Sequence, residues 1–94
     1  MEPAADLPTA VALISSLKDA VINEKTVVFG EIGLAGEVRA VTNAVQRVSE
    51  ASRLGFERCV IPIHNLSDIP EKLKNSIEII GVRTIRKAFE ASVN

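Results

Sequence analysis

Two short runs rich in β-branched and apolar residues, 26–32 (Thr-Val-Val-Phe-Gly-Glu-Ile) and 58–62 (Arg-Cys-Val-Ile-Pro), flank a segment with a different period. Between them Ala44, Val48 and Ala51 recur at helical spacing, while Gln46, Arg47, Glu50 and Arg53 fall on the opposite, wet side. A strand, a helix and a strand in that order predict a right-handed crossover and a parallel pairing of the two strands. This is the strongest constraint on the chain. It predicts an α/β unit with helices packed on a sheet, and the rest of the sequence is read around it.

The helix of the crossover is expected over 42–54, with Thr42 as its N-cap and Gly55 placed to close it. Ahead of the first strand, Asp6-Leu7-Pro8 supplies a cap and a proline suited to a first turn. Ala10, Leu13, Ile14 and Leu17 then recur at helical spacing, so a helix over 5–20 is expected to bury that stripe, with Lys18 in its last turn. Gly33, Ala35 and Gly36 punctuate the chain after residue 32, and Glu37-Val38-Arg39-Ala40-Val41 alternates again. The expectation is a hairpin of 26–32 with 37–41. Residues 64–74 read as a polar connection with a helical turn near 69–73, residues 77–82 as a further strand, and Thr84 as the cap of a last helix carrying Ile85, Ala88 and Phe89. The expected order is α, β-hairpin, α, β, β, α, in one domain over 1–94 and with a mixed sheet.

Composition narrows the function. Eleven Lys and Arg against 12 Asp and Glu give a net charge of −1, which excludes a strongly basic nucleic-acid binder. At 47% hydrophobic the chain is too apolar for a disordered segment. No apolar run reaches the roughly 18–20 residues of a membrane helix, so no membrane partner is expected. One cysteine leaves no internal disulfide, and Met1-Glu2-Pro3 does not open a signal peptide, so a reducing cytoplasmic setting is expected. With no Trp, no Tyr and 3 Phe, the core must be aliphatic.

The chemistry of ordinary active sites is missing. One His and one Cys, His64 and Cys59, cannot make a four-ligand metal site. Cys59 sits inside an apolar strand and reads as inert core; His64 follows a strand-ending proline and reads as a solvated loop residue. The spacing Gly30-x-x-Gly33-x-x-Gly36 connects two strands rather than opening a helix, so its glycines serve a turn and not a phosphate. No G-x-x-x-x-G-K-S/T is present, so no nucleoside triphosphate is held by that route.

The stretch from Val28 to Arg39, Val-Phe-Gly-Glu-Ile-Gly-Leu-Ala-Gly-Glu-Val-Arg, resembles the G-E-I/V-x-L-x-G-x-V/I hairpin of Lon-type protease domains. The similarity continues through Ala51 and Gly55-Phe56 to Val60-Ile61-Pro62 and Asn65. Glu2-Pro3-Ala4-Ala5-Asp6-Leu7 is similar to the E-P-A-A-D-L segment of the RadA-like (Sms) family of bacterial DNA repair proteins, and residues 80–85 resemble that family's C-terminal G-V-x-T-L/I. The match covers essentially the whole chain. It implies a Lon-protease-like α/β (α+β) fold, shared with the second domain of a small-subunit ribosomal protein. It also implies strands ahead of the first helix, so the sequence is expected to be the C-terminal portion of that domain and Met1 a truncated or misassigned start.

In Lon-type proteases a serine of G-P-S-A-G is the nucleophile and a lysine of G-G-L-K-E-K its base. Carried across, those positions fall on Ala4 and Val45, and neither side chain can transfer a proton. The resemblance therefore implies a domain without catalysis. RadA-like proteins also carry a zinc motif and a RecA-like ATPase, form hexameric rings on DNA and promote branch migration. None of the zinc cysteines or the nucleotide loop occurs here, so ATP, Mg and Zn are expected only in other parts of such a parent, and no cofactor in this chain. The expected partners are DNA, bound weakly, and further copies of the chain. DNA contact is expected to use Arg39, Arg47, Arg53 and Arg58, opposed within that stretch only by Glu50 and Glu57, and to be helped by Arg83, Arg86 and Lys87. Two alternatives stand beside this reading: a degenerate peptidase with another nucleophile, and a module that binds only protein.

Overall fold

The computed structural model describes residues 6–93. The crossover forms as expected. Strand β1 (Thr26–Val28), helix α2 (Ala44–Arg53) and strand β4 (Arg58–Pro62) succeed one another, and β1 pairs parallel to β4 with Thr26 opposite Arg58 and Val28 opposite Val60. Strand β5 (Glu78–Val82) pairs parallel on the other side of β4, giving a three-stranded sheet in the order β1-β4-β5. Between β4 and β5 the chain makes a 3₁₀ segment, Ile63–Asp68, and a single-turn helix α3 (Glu71–Lys74) where one helical turn is expected from sequence.

Both faces of this sheet are covered. On one face Cys59 and Ile61 pack with Ala44, Val48 and Ala51 of α2 and with Ile69 and Ile77. The predicted stripe of α2 is thus its buried stripe. On the other face Val60 and Val82 pack with Leu7 and Val11 of helix α1 (Leu7–Leu17) and with Ala88 of helix α4 (Ile85–Ser92). Alternate residues of β4 serve opposite layers, which is why its sequence is apolar throughout rather than alternating.

Three expectations are corrected. The run 26–32 is not one strand: it breaks at Phe29-Gly30, and Glu31–Ile32 forms a separate short strand β2. β2 pairs antiparallel with β3 (Val38–Arg39), Glu31 opposite Arg39, so the hairpin exists but as its own two-stranded ribbon. The mixture of strand directions is therefore divided between two sheets. The cause is Gly30, whose φ is +152°, whose carbonyl accepts a hydrogen bond from the Leu7 amide at 2.9 Å, and whose missing Cβ leaves room for Leu7. The chain turns from β1 toward the start of α1 instead of continuing along β4.

The second correction concerns α1. It spans residues 7–17 rather than 5–20, Ala5 lies outside the described residues, and Lys18 is the C-cap. It buries Leu7, Val11 and Ser15, not the stripe Ala10, Leu13, Ile14 and Leu17; Leu13 and Leu17 are 61% and 78% exposed. Third, the N-cap of α2 is Asn43 rather than Thr42, at φ +60°, a left-handed conformation that Asn tolerates better than most residues. Asp6 and Thr84 do cap α1 and α4 as expected, accepting from the amides of Thr9 (2.8 Å) and Lys87 (3.1 Å).

Candidate functional site

The β2–β3 ribbon lies across the carboxyl ends of the parallel strands. Its Val38 amide donates to the Arg83 carbonyl just past β5 (3.0 Å), and Glu31 bridges to Asp6 at the start of α1. Ligands of open α/β sheets bind at this end. Here it holds a cavity of about 590 Å³ where β1 ends, the ribbon begins and α2 starts.

Two of the predicted arginines meet in this cavity. Arg39 reaches it from β3 and Arg47 from α2. Arg47 is held in place: its Nε donates to the Thr42 carbonyl at 3.1 Å, and its guanidinium sits 5.8 Å from the centre of the Phe29 ring. Arg39 is looser, 65% exposed in its side chain and 3.9 Å from a Glu37 oxygen. Asp6 and Glu31 line the same cavity, so its walls carry both signs. Hydrogen bonds from the Thr9 hydroxyl and amide hold the Asp6 carboxyl below the usual aspartate range.

The other two candidates lie elsewhere. Arg53 is on the exposed side of α2 and forms an ion pair with Glu50, which lowers the Glu50 carboxyl and raises the Arg53 guanidinium. Arg58 opens β4 at the far end of the sheet, with 30% of its side chain exposed. It is used inside the fold, donating to Glu78 at 2.9 Å and to the Ala91 carbonyl at 3.0 Å. The four arginines thus form no single patch. Arg86 and Lys87 of α4 both pair with Glu90, at 3.4 and 3.6 Å.

Of the two positions that match the protease dyad, Ala4 lies outside the described residues. Val45 sits in the first turn of α2, half-buried against the core, and offers no atom that can carry a proton. Cys59 is fully buried, and burial pushes its thiol up to about 12. His64 is exposed on the 3₁₀ segment. Among the described residues no group of three His, Cys, Asp or Glu could hold a metal ion, and no helix is long and apolar enough to cross a membrane.

Asn65, which the sequence marks only as part of the Lon resemblance and to which it assigns no role, is 3% exposed. Its side chain accepts from the Val41 amide (3.0 Å) and donates to the Val41 carbonyl (3.1 Å) and to Asp68 (3.1 Å). That grip fixes the segment between β3 and α2, and hence the relative position of Arg39 and Arg47. Only its place shortly after the Pro62 strand end distinguishes it in the sequence.

Comparison with known proteins agrees with this architecture. Residues 2–94 match the family model of the Lon protease (S16) C-terminal proteolytic domain. The chain is 47% identical over 92 residues to the DNA repair protein RadA of Halalkalibacterium halodurans, covering 98% of this chain and 20% of that protein. It is 43% identical over 89 residues to RadA of Streptococcus pneumoniae (95% of this chain, 21% of the relative) and 41% over 88 residues to RadA of Escherichia coli (94% and 18%). The chain therefore spans about a fifth of the length of these relatives. With its whole described length accounted for by that match, the chain belongs to the Lon protease C-terminal domain family, in the form found in RadA proteins.

Proposed function

We propose that this chain acts in DNA repair and recombination as the non-catalytic Lon-like domain of a RadA-type protein, contributing to ring assembly and to DNA contact during branch migration. The similarity to RadA proteins over 94–98% of the chain carries the repair role. The lack of catalysis rests on Val45, where a Lon-type protease needs a lysine, and on Ala4, where it needs a serine. No cofactor is assigned to this chain, and its setting is the bacterial cytoplasm.

For DNA contact the reading favours Arg39 and Arg47 over Arg53 and Arg58. They converge on one cavity, and neither guanidinium is consumed as Arg58 is. Phosphate contacts of this kind are sequence-blind and salt-sensitive. A single copy offers few of them, so binding is weak and is strengthened when several copies act together.

The test is titration of the chain with a short single-stranded oligonucleotide at low salt, followed by NMR. The Arg39 and Arg47 signals should shift, and the double variant Arg39→Glu/Arg47→Glu should lose about tenfold in affinity and most of the salt dependence. No DNA binding by the unsubstituted chain would remove the DNA-contact role and leave a module that binds only protein. Peptide cleavage or fluorophosphonate labelling that survives repurification would overturn the non-catalytic reading.

A further inference from the structure

We propose that the cavity at the carboxyl end of the sheet receives one unpaired nucleobase and reads it as guanine through the Glu31 carboxylate. The inference rests on the DNA-contact reading above and adds base recognition to it. The cavity wall carries both signs. Arg39 and Arg47 suit a phosphate, but Asp6 and Glu31 line the same space and repel one. A surface that bound only the phosphate backbone would gain nothing from those carboxylates. An ionised carboxylate accepts hydrogen bonds and donates none, so its counterpart on a nucleotide is an N–H group of the base.

The two carboxylates differ in what they have left to offer. Asp6 caps α1, accepting from the Thr9 amide at 2.8 Å. Glu31 is exposed, and its carboxylate has no partner among the described residues. Its cross-strand neighbour Arg39 lies 3.9 Å from a Glu37 oxygen instead. Glu31 is therefore the acceptor available to a ligand. Its two oxygens match two adjacent donors, as a carboxylate meets the fork of an arginine. On the Watson–Crick edges of the four DNA bases, only guanine carries such a pair, at N1 and N2. Adenine and cytosine set a donor beside an acceptor, and thymine sets its single donor between two acceptors.

The rest of the cavity supplies a place for the ring. The Arg47 guanidinium is fixed by the Thr42 carbonyl at 3.1 Å and backed by the Phe29 ring at 5.8 Å, which makes it a flat cationic plate. Unpaired bases stack on such plates. Pro8, Val28, Ile32 and Val41 add apolar wall around it. At about 590 Å³ the space falls within the roughly 300–1,000 Å³ of small-molecule sites. It is also held in shape before any ligand arrives: Asn65 pins Val41, and the ribbon is tied to the Arg83 carbonyl. A base inside a duplex has its Watson–Crick edge occupied, so only an unpaired one can present that edge to Glu31. Arg39, with 65% of its side chain exposed, remains for the adjoining phosphate.

Short oligothymidylates carrying one central dG, dA, dC or dT, titrated against the full chain at low salt, test this. The dG strand should bind about tenfold tighter than the other three and shift the NMR signals of the Phe29 ring and the Arg47 side chain. Glu31→Gln keeps the size of the side chain but exchanges one acceptor oxygen for a donor, and should bring the dG affinity down to that of the other strands. Guanosine monophosphate, titrated in parallel, separates the two sources of the base. Shifts at Phe29 and Arg47 with the dG strand alone assign a base presented by a strand; equal or tighter binding of the monophosphate assigns a free nucleotide to the same guanine pocket. Four equal strand affinities would overturn the guanine readout while leaving the phosphate contact standing. A dG preference that persists in Glu31→Gln would overturn it as well, by placing the readout elsewhere. Failure of every strand to bind would end the DNA-contact reading itself, and the guanine pocket with it, unless guanosine monophosphate bound in a manner that Glu31→Gln abolished.

Discussion

Asn65 holds Val41 by both of its backbone polar groups, 24 residues away in the chain, and shares its remaining donor with Asp68. The side chain is 3% exposed, so water cannot replace these bonds. Removing it strands the Val41 amide and carbonyl in a part-buried site. Asn65→Ala should therefore cost about 2–3 kcal/mol, read as a lower urea midpoint at unchanged slope. Because the same grip sets the start of α2, the variant should also weaken the juxtaposition of Arg47 with Phe29. Loss of the ring-current shift on the Arg47 side-chain protons would report it. An unchanged midpoint would mean that the Val41 segment is held by packing alone.

Much of this fold is legible in the sequence, and the exceptions have physical causes. Strands β4 and β5, the buried stripe of α2 and the caps Asp6 and Thr84 follow from local chemistry. The buried side of α1 does not, because its sequence offers two apolar stripes at helical spacing. Tertiary packing selects the one ending in small, buried Ser15, whose hydroxyl is satisfied by the Ala20 carbonyl. The break at Gly30 is equally hidden, since a β-branched run does not reveal that Leu7 claims the glycine carbonyl. In the site, Arg39 and Arg47 come together from different elements. The pairing that ties up the Arg58 guanidinium involves residues 20 and 33 positions away.

Gly30 is the point where β1 gives way to the ribbon. A Cβ built there lies 2.9 Å from the Leu7 Cδ2 and 3.2 Å from the Leu7 Cβ, and the backbone sits at φ +152°. Leu7 is fully buried and cannot move aside. Gly30→Ala combines a close contact with backbone strain and should cost about 2–3 kcal/mol. Gly36, at φ +85° in the ribbon turn, has nothing within 4 Å of its built Cβ, so Gly36→Ala carries the strain without the clash. Thermal unfolding of the two variants should rank Gly30→Ala clearly below Gly36→Ala; the reverse order would contradict the assigned role of Leu7.

Arg58 separates stability from binding. It ties β4 to Glu78 of β5 and to the end of α4 through Ala91. Arg58→Ala should cost about 1–2 kcal/mol, since the bonds are partly shielded from solvent. Arg58→Lys should recover little of this, because an ammonium cannot reproduce the forked geometry. Under conditions where the variant is fully folded, its affinity for a single-stranded oligonucleotide should match that of the unsubstituted chain. A loss comparable to that of Arg39→Glu/Arg47→Glu would return Arg58 to the binding surface.

Cys59 makes stability fall with rising pH. The thiol is fully buried in the middle of the sheet, and desolvation of the thiolate pushes its pKa from 9.0 up to about 12. In the unfolded chain the same thiol ionises near its ordinary value. Between those two values the unfolded state binds fewer protons than the folded state, so unfolding is favoured as pH rises. The contribution is complete below about pH 9 and is lost progressively toward 12. Cys59→Val removes the titrating group while filling the same apolar site beneath α2, beside Ile69 and Ile77. The stability difference between unsubstituted chain and variant, measured by urea unfolding under reducing conditions at several pH values, should therefore shift against the unsubstituted chain above pH 9. Below that pH the folded thiol should also resist alkylation, because the nucleophilic thiolate is scarce and shielded. Parallel pH profiles for the two proteins, or rapid labelling of the native thiol, would show that the β4 layer opens readily to solvent.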